Sequence, residues 1–313
     1  MYLEEIMSDF GIDKVSSDLS LPNTSTPKQH FDNYIYVNSK KRCKILYKEI
    51  NNQGRYGLIQ KCTRIDDATQ QSETVVVKRP RSPLLSLAPE AILQAVCFKT
   101  VVKAGLNGSI AKPRDIFIIS NEVRYTMEYI DGISFQTFLN LPGTDVEKSF
   151  LNCLMQLCFI LYTLDLHLNF DHRDLRVENI WIRPLNSEQV YTLENADKVY
   201  KVAFKYQVVL LDFGFACIGD STRRAIVNLG NDVFSPIDPC PKPGRDLYQF
   251  LNSVFENKQI QEKFSHEFLE QIQFWMRPHK IRSSKLSYVI TYDPKFENKF
   301  LQPIELIRWF LRT

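Results

Sequence analysis

Residues 172–179 read HRDLRVEN, and residues 208–214 read VVLLDFG. The first stretch carries Asp174 and Asn179 close together, and in the second Asp212 follows an apolar run. Carboxylate and amide oxygens are hard ligands that suit Mg²⁺. The two stretches therefore offer candidate ligands for a hard metal ion.

The composition is that of an ordinary folded protein. Of the 313 residues, 44% are hydrophobic and 24% are charged, which excludes a mostly disordered chain. The formal net charge of +3 is too small to favour nucleic acid. No apolar run approaches the roughly 20 residues of a membrane-spanning helix, and the acidic N-terminus lacks the apolar core of a secretory signal. We therefore expect no nucleic-acid partner and no membrane association.

Seven cysteines are scattered along the chain without a CxxC pair or a regular spacing. Such a set is typical of reduced cysteines that pack inside an intracellular protein. We therefore predict a cytoplasmic or nuclear protein with reduced cysteines and without a zinc site. The seven are Cys43, Cys62, Cys97, Cys153, Cys158, Cys217 and Cys240.

The polarity pattern divides the chain into a leader and two regions. Residues 1–30 include a polar stretch rich in Ser, Thr and Pro, which predicts a flexible leader. Residues 31–130 contain short β-type runs and one helical segment, whereas apolar residues in 131–313 follow the spacing of buried helices. A strand-rich N-terminal region followed by a helix-rich C-terminal region predicts an α+β protein with two lobes joined near residue 130.

The two stretches quoted above resemble the motifs of the protein kinase superfamily, whose catalytic loop reads H-R-D-L-x-x-x-N and whose metal-binding motif reads D-F-G. The resemblance extends over roughly residues 45–280. It implies a bilobal kinase-like fold with a β-rich N-lobe over 31–130, which carries one αC helix, and a mainly helical C-lobe over 131–313. It also implies that ATP and Mg²⁺ are the cofactors.

The resemblance assigns a role to each polar residue of these motifs. Asp174 would accept or orient the proton of the substrate hydroxyl, and Asn179 and Asp212 would hold Mg²⁺. Arg176 stands where many serine/threonine kinases have a lysine that contacts the γ-phosphate, and arginine can serve there as a charge-assisted donor.

A lysine and a glutamate complete the predicted catalytic set. Residues 74–78 read TVVVK and resemble the V-A-I-K strand, which places Lys78 at the α- and β-phosphates. Glu90 is the single acidic residue between Lys78 and Asp115 and would be the αC partner of Lys78. The predicted catalytic residues are Lys78, Glu90, Asp174, Arg176, Asn179 and Asp212.

The nucleotide-binding residues are predicted from three further segments. Residues 52–59 align with the Gly-rich loop G-x-G-x-x-G-x-V, with asparagine at the first glycine. Residues 127–129 resemble the kinase hinge with Met127 as gatekeeper, and Trp181 falls where kinases place an aliphatic floor under adenine. The predicted set is Asn52, Gly54, Gly57, Ile59, Val76, Lys78, Met127, Glu128, Tyr129 and Trp181.

Several features depart from the family pattern. No A-P-E triplet follows DFG, and the segment most similar to it is SPID at 235–238. Residues 183–206 form a longer link than usual, which predicts an insertion or a long hairpin. Gln94 stands where kinases place an apolar side chain, whereas Asp246 matches the aspartate that braces the catalytic loop. In these departures the chain resembles haspin-like kinases and the serine/threonine kinases of large DNA viruses.

Regulation is predicted only in outline. Arg173 precedes the catalytic aspartate, which would allow it to pair with a phosphorylated activation segment. Ser221 and Thr222 are the available acceptors, and a solvated basic loop without a switching role is the alternative.

The function predicted from the sequence is a protein kinase that transfers the γ-phosphate of Mg·ATP to a protein hydroxyl, with serine or threonine preferred to tyrosine. One alternative is a pseudokinase or scaffold that binds nucleotide or partners without turnover. The other is a small-molecule phosphotransferase of the aminoglycoside or choline kinase type. The predicted partner is a protein substrate whose identity is left unassigned. The predicted location is inside the cell, which is the host cell if the protein is viral. The oligomeric state is also left unassigned.

Overall fold

The structure is a computed structural model that describes residues 34–38, 43–53, 57–66, 68–80, 86–119, 122–195, 198–222, 224–230, 233–234, 238–276 and 300–311. The predicted leader, Gly54 and most of the SPID segment lie outside these residues. The chain divides into two compact units. Unit 1 comprises residues up to Lys99 together with Ala111–Ile130, and unit 2 comprises Thr100–Ile110 together with the chain from Asp131 onward. The lobe boundaries predicted from the sequence stay a prediction.

Unit 1 is built on one antiparallel sheet of six strands in the order β1-β2-β3-β4-β6-β5. Buried apolar side chains from its strands form a core cluster, because successive residues of a strand alternate between two faces. This cluster consists of Ile45, Cys62, Val75, Val77 and Phe117. The elements are β1 (Tyr34–Asn38), β2 (Cys43–Gln53), β3 (Gly57–Asp66), β4 (Ser72–Pro80), α1 (Ala88–Lys103), β5 (Pro113–Ile119) and β6 (Glu122–Glu128).

Unit 2 combines helices with two small antiparallel sheets, which have the strand orders β10-β9-β7 and β12-β11-β8. Its strands are β7 (Ile133–Ser134), β8 (Phe170–Asp171), β9 (Ile180–Asn195), β10 (Lys198–Leu210), β11 (Cys217–Gly219) and β12 (Ala225–Asn228). Its helices are α2 (Phe135–Leu139), α3 (Val146–Leu168), a 3₁₀ turn (Val177–Asn179), α4 (Arg245–Glu256), α5 (Lys258–Gln261), α6 (His266–Trp275) and α7 (Pro303–Phe310).

Helix α3 forms the centre of unit 2. It begins after Asp145, whose side chain accepts a hydrogen bond from the backbone N–H of Lys148, and it ends at Asn169 in the left-handed region. Phe150 packs against aromatic rings of α2, α4 and α6 and against Phe264, which precedes α6, with ring centroids 5.2 to 6.1 Å apart. By length and composition this helix could cross a membrane, but 72% of its most apolar window is buried inside the protein. It therefore has the burial of a core helix.

The structure confirms the predicted α+β class and the predicted long hairpin. Strands β9 and β10 pair over most of their length, and every second residue of β10 from Tyr200 to Phe204 is buried. The edge of β10 is held by α3, because the Gln156 side chain accepts from Val208 N–H and donates to the Tyr206 carbonyl. The link predicted to be longer than usual is thus a folded part of unit 2.

The prediction that all cysteines are reduced is wrong. Cys217 in β11 and Cys240 ahead of α4 form a disulfide, and both side chains are buried. Scattered spacing could not reveal this pair, because the two residues meet only when the chain folds back between them. Cys62, Cys97, Cys153 and Cys158 are also buried.

Candidate active site

Unit 1 holds a buried ion pair between the lysine and the glutamate predicted from the sequence. Lys78 lies near the end of β4 and Glu90 in the first turn of α1, with 2.5 Å between Lys78 Nζ and Glu90 Oε1. Lys78 is 3% exposed and Glu90 is 5% exposed. Two charges removed from water in this way stabilise each other only if they stay paired. The structure therefore brings these two predicted residues together.

Six other predicted residues of unit 1 lie on strands of its sheet, and Tyr129 directly follows β6. Asn52 and Gly57 belong to the ends of β2 and β3, and Ile59 is paired in register with Lys78. Val76 is paired with Met127 on β6, so these two side chains lie side by side on neighbouring strands. Asn52, Ile59 and Lys78 thus follow one line of register pairs across the sheet, and Val76 and Met127 form another.

The segment predicted to be the hinge follows Met127 directly. The backbone N–H of Glu128 donates to the Lys112 carbonyl at 2.8 Å. The ammonium group of Lys61 lies 3.8 Å from the centroid of the Tyr129 ring, a cation–π contact. Met127 is buried, while Glu128 and Tyr129 are half-buried.

Unit 2 brings Asp174 and Asn179 together. The Asn179 amide donates to the Asp174 backbone carbonyl at 2.7 Å and to Asp174 Oδ2 at 3.2 Å. Asp174 Oδ1 is buried and has no hydrogen-bond partner among the described residues. Burial raises the pKa of Asp174 to about 6, against the lowering effect of Arg176. A carboxylate with one unpaired oxygen and a pKa near neutrality suits the acceptance of a proton.

Asp212 lies beside this loop because the backbone N–H of Leu211 donates to the Asn179 carbonyl at 3.0 Å. Its backbone is in the left-handed region (φ 60°), a conformation that aspartate tolerates better than most residues do. The Asp212 carboxylate accepts from the Gly214 N–H at 3.3 Å. Phe213 is fully buried, with its ring centroid 5.3 Å from that of His172.

The carboxylate of Asp246, at the start of α4, binds the backbone of the loop that carries Asp174. Its two carboxylate oxygens accept from the backbone N–H groups of His172, at 2.7 Å, and Arg173, at 2.9 Å. Gln249, one turn along α4, donates to the Arg173 carbonyl at 2.8 Å. A helix that is itself packed in the core thus fixes the loop that carries Asp174.

Arg173 is fully buried and already paired. Its guanidinium donates to Asn228 Oδ1 at 2.6 Å and lies 3.4 Å from Asp238 Oδ2, and its carbon atom Cζ lies 4.6 Å from the centroid of the Phe234 ring. Asp238 also pairs with Arg245 at 2.6 Å. The charge of Arg173 is therefore balanced by a carboxylate of the chain.

Two further predicted residues have distinct surroundings. Arg176 is partly exposed, and its Nε donates to Glu178 at 2.8 Å. The indole of Trp181 is half-buried against the backbone of Gly132, where an added Cβ would lie 3.0 Å from Trp181 Cδ1. Its Nε1 is buried without a hydrogen-bond partner among the described residues.

The donor set of unit 2 fits a hard cation. The Asn179 amide nitrogen is bonded to Asp174, which leaves the Asn179 oxygen as the atom to face a metal. Together with the Asp212 carboxylate this gives two oxygen donors, and Mg²⁺ is commonly held by one or two protein groups together with phosphates and water. Within the described residues, no group of three or more His, Cys, Asp or Glu side chains could hold a metal ion by itself.

Sequence reasoning missed the hydroxyl of Tyr125, which lies 3.0 Å from Glu90 Oε1. Strand alternation could have found it, because Tyr125 and Met127 lie two residues apart on one face of β6. It also missed Asn228 and the part that Asp238 has in binding Arg173, for which no local sequence signal exists.

Comparison with known proteins gives one informative similarity. No family model matches this chain. Over 186 residues the chain is 28% identical to a protein described as "Probable kinase 098L" from Invertebrate iridescent virus 3. The match covers 57% of this chain and 33% of that protein, so the chain spans about a third of the length of its relative. This similarity indicates a kinase-like relationship.

Proposed function

We propose that this protein is an ATP-dependent protein kinase that transfers the γ-phosphate of Mg·ATP to serine or threonine hydroxyls of a protein substrate inside the cell. In this proposal the chain from residue 31 to 313 is one kinase-like domain. Unit 1 contains most of its β-rich lobe, and unit 2 contains most of its mainly helical lobe. The kinase-like relationship to the viral protein supports the class of reaction, and the local geometry supports the roles of individual residues.

The observation that carries the proposal is the buried Lys78–Glu90 pair. A buried ion pair is seldom the most stable choice, because well-packed apolar residues of similar volume often stabilise a core as much or more. Its presence at the end of a strand and the start of a helix is explained if the Lys78 ammonium is held in place to contact phosphate oxygens. A buried ionisable pair is therefore a candidate for a functional site.

Transfer itself is proposed to depend on Asp174. The oxygen of the acceptor hydroxyl forms a bond to the γ-phosphorus while the bond from that phosphorus to the bridging oxygen of ADP breaks. The hydroxyl proton passes to the unpaired Oδ1 of Asp174, and ADP leaves with the bridging oxygen. Asn179 holds Asp174 in the required orientation, because its amide is bonded to both the backbone and the side chain of that residue.

The remaining roles concern charge. Asp212 and the Asn179 oxygen would hold Mg²⁺, which when bound neutralises charge on the phosphates. Arg176, which is partly exposed beside Glu178, would donate to the γ-phosphate. The residues on β2, β3, β4 and β6 that were predicted to bind nucleotide, with Trp181 of β9, are proposed to contact the adenine and the phosphate chain.

The test is transfer of radiolabelled γ-phosphate from Mg·ATP to the protein and to generic protein acceptors, followed by phosphoamino-acid analysis. Label on serine or threonine is expected in the wild-type protein. Asp174→Asn should reduce the initial rate by at least about 100-fold, since a positioned general base contributes roughly 10²- to 10⁴-fold. Glu188→Gln, which removes an exposed carboxylate of β9, is the control and should keep the wild-type rate.

Other results would change the proposal in defined ways. Label that persists in Asp174→Asn would show that the site is wrongly assigned. Label on tyrosine would correct the acceptor class alone. Folded protein that binds Mg·ATP without transferring phosphate to any protein would favour the scaffold alternative, and transfer to aminoglycosides or choline would favour the small-molecule alternative.

A further inference from the structure

Gln94 is a polar residue buried in the core of unit 1. It is 1% exposed and lies one turn after Glu90 on α1. Its amide nitrogen donates to the Ala111 carbonyl at 2.7 Å and lies 3.6 Å from the sulfur of Met127. Its amide oxygen lies 3.1 Å from the Tyr125 hydroxyl. Both ends of the amide therefore lie within hydrogen-bond distance of a polar group, and the single Tyr125 proton is shared between the oxygens of Gln94 and Glu90.

The Tyr125 hydroxyl links this amide to the ion pair. Tyr125 is 1% exposed, and its hydroxyl lies between Gln94 Oε1 and Glu90 Oε1, at 3.1 and 3.0 Å. The oxygen of Glu90 that it reaches is the same atom that contacts Lys78 Nζ. Tyr125 and Lys78 are also paired in register on β6 and β4, so their side chains leave the sheet side by side.

We propose that Tyr125 and Gln94 are positioning residues that hold Glu90, and through it the Lys78 ammonium, in the arrangement needed to bind nucleotide phosphates. The functional part of this statement rests on the proposed kinase function. Glu90 and Gln94 lie on one face of α1, and one hydroxyl of the sheet reaches both. A rotation of α1 about its axis would break these hydrogen bonds and leave several buried polar groups unpaired.

The consequence concerns how the lysine is held. Apolar contacts between a helix and a sheet allow the helix to slide or rotate at small cost, because they are not directional. Hydrogen bonds from Tyr125 and Gln94 are directional, so they fix one rotation of α1. The Lys78–Glu90 pair is thus set by contacts within unit 1.

The experiment removes the hydroxyl by Tyr125→Phe in the full-length protein and measures how fast Lys78 is acetylated by an amine-reactive N-hydroxysuccinimide ester. The reaction is run without nucleotide, and the modified peptide is quantified by mass spectrometry. We expect the rate at Lys78 to rise about fivefold, which corresponds to the roughly 1 kcal/mol that one hydrogen bond contributes. In the transfer assay the KM for ATP should rise by a similar factor, while the KM for the protein acceptor stays unchanged.

Tyr191→Phe is a matched control in unit 2. Tyr191 is 2% exposed, and its hydroxyl accepts a hydrogen bond from the Gln207 amide at 2.7 Å. This variant loses an equally buried tyrosine–glutamine contact and should leave Lys78 acetylation at the wild-type rate. Equal rates in the wild type and Tyr125→Phe would overturn the proposal, as would an equal rise in both tyrosine variants.

Gln94→Leu tests the second residue and remains informative if Tyr125→Phe does not fold. If Gln94 acts by holding Tyr125, this variant should raise the acetylation rate about twofold, and no rise would overturn that role. The double variant should then equal Tyr125→Phe alone, since residues that act through one another are not additive. Acetylation of Lys78 needs no turnover, so it tests the positioning role separately from the kinase function. An unchanged acetylation rate with Asp174-dependent transfer would overturn the positioning role alone. A raised acetylation rate without transfer would overturn the kinase function alone.

Discussion

At the scale of single residues, Asp174 and Asp212 are carboxylates with different surroundings. Asp174 is 9% exposed, has one unpaired oxygen and has a pKa raised to about 6 by burial. Asp212 is half-buried in a left-handed backbone and accepts from the N–H of Gly214. The first is suited to orient and accept a proton, and the second to hold a cation.

These surroundings predict that the two asparagine variants fail at different steps. Asp174→Asn should keep the affinity for Mg·ATP within about threefold, whereas Asp212→Asn should lose at least about tenfold, because it removes a charged ligand of the metal. Equilibrium titration with a fluorescent ATP analogue, with and without Mg²⁺, measures both. The assignment is wrong if Asp174→Asn weakens Mg-dependent binding as much as Asp212→Asn does.

His172 predicts a pH dependence of stability. It is fully buried, and burial lowers its pKa, while Nε2 lies 3.1 Å from the Leu211 carbonyl. In the unfolded chain a histidine has an ordinary pKa near 6.5, so the unfolded state binds the proton first as the pH falls. The free energy of unfolding contributed by this group therefore decreases as the pH falls through about 6.5.

The measurement is urea unfolding at several pH values from 7.5 to 5.5. The buried carboxyls of Asp174 and Asp238, whose pKa values are raised, act in the opposite direction, so a variant is needed to isolate the histidine. His172→Gln should lose less stability on acidification than the wild type does. His167→Gln, at an exposed position of α3, should keep the wild-type slope, and an unchanged slope in His172→Gln would contradict the prediction.

At the scale of elements, buried charges join the loop that carries Asp174 to the start of α4. Arg245 is fully buried, with Nε 2.9 Å from Asp171 of β8 and its other nitrogens on Asp238 and the Pro239 carbonyl. Arg173 reaches the same Asp238. Two guanidinium groups thus share one carboxylate.

Asp238→Asn should therefore destabilise the protein strongly. Removing one partner leaves two buried cations with less compensation, a change that costs about 3 kcal/mol in comparable cases. Chemical denaturation followed by tryptophan fluorescence measures the loss. Glu270→Gln is the comparison, since its pair with His266 is largely exposed and should contribute less than about 0.5 kcal/mol. Similar losses in both variants would show that the buried pairing does not stabilise the fold.

At the scale of the whole molecule, the disulfide joins two points of the chain that are 23 residues apart. One sulfur belongs to β11, directly after the Asp212 segment, and the other to the residue before Pro241 ahead of α4. A cross-link stabilises mainly by restricting the unfolded chain, and a closed loop of this length corresponds to about 3 kcal/mol.

Cys217→Ser combined with Cys240→Ser should lower the free energy of unfolding by about 3 kcal/mol. The variant should show the same number of free thiols as the unreduced wild type when both are denatured, because the two cysteines are already bonded in the wild type. If the variant has two fewer free thiols than the unreduced wild type, Cys217 and Cys240 are reduced in the wild type and the prediction is wrong. A reductant should destabilise the wild type and leave the variant unchanged.

Local chemistry explains which features were predictable. The apolar spacing of α3 and the alternation along β9 and β10 depend on neighbours in sequence, so helix, hairpin and α+β class follow from the pattern. The capping box of α7, with Pro303 at its first turn, is likewise a local signal. The pairing of Lys78 with Glu90 could be predicted because Glu90 is the single acidic residue between Lys78 and Asp115.

By itself, the sequence determined the order of residue types that gives the chain its α+β elements and places carboxylates and an amide in one loop. Only the tertiary structure decided which distant side chains meet: Tyr125 with Glu90 across 35 residues, Arg173 with Asp238, and Cys217 with Cys240. These contacts have no sequence period, since they depend on how the sheet and the helices fold back on one another. Burial then fixed their energetics, because a charge or hydroxyl removed from water must find its partner inside the protein.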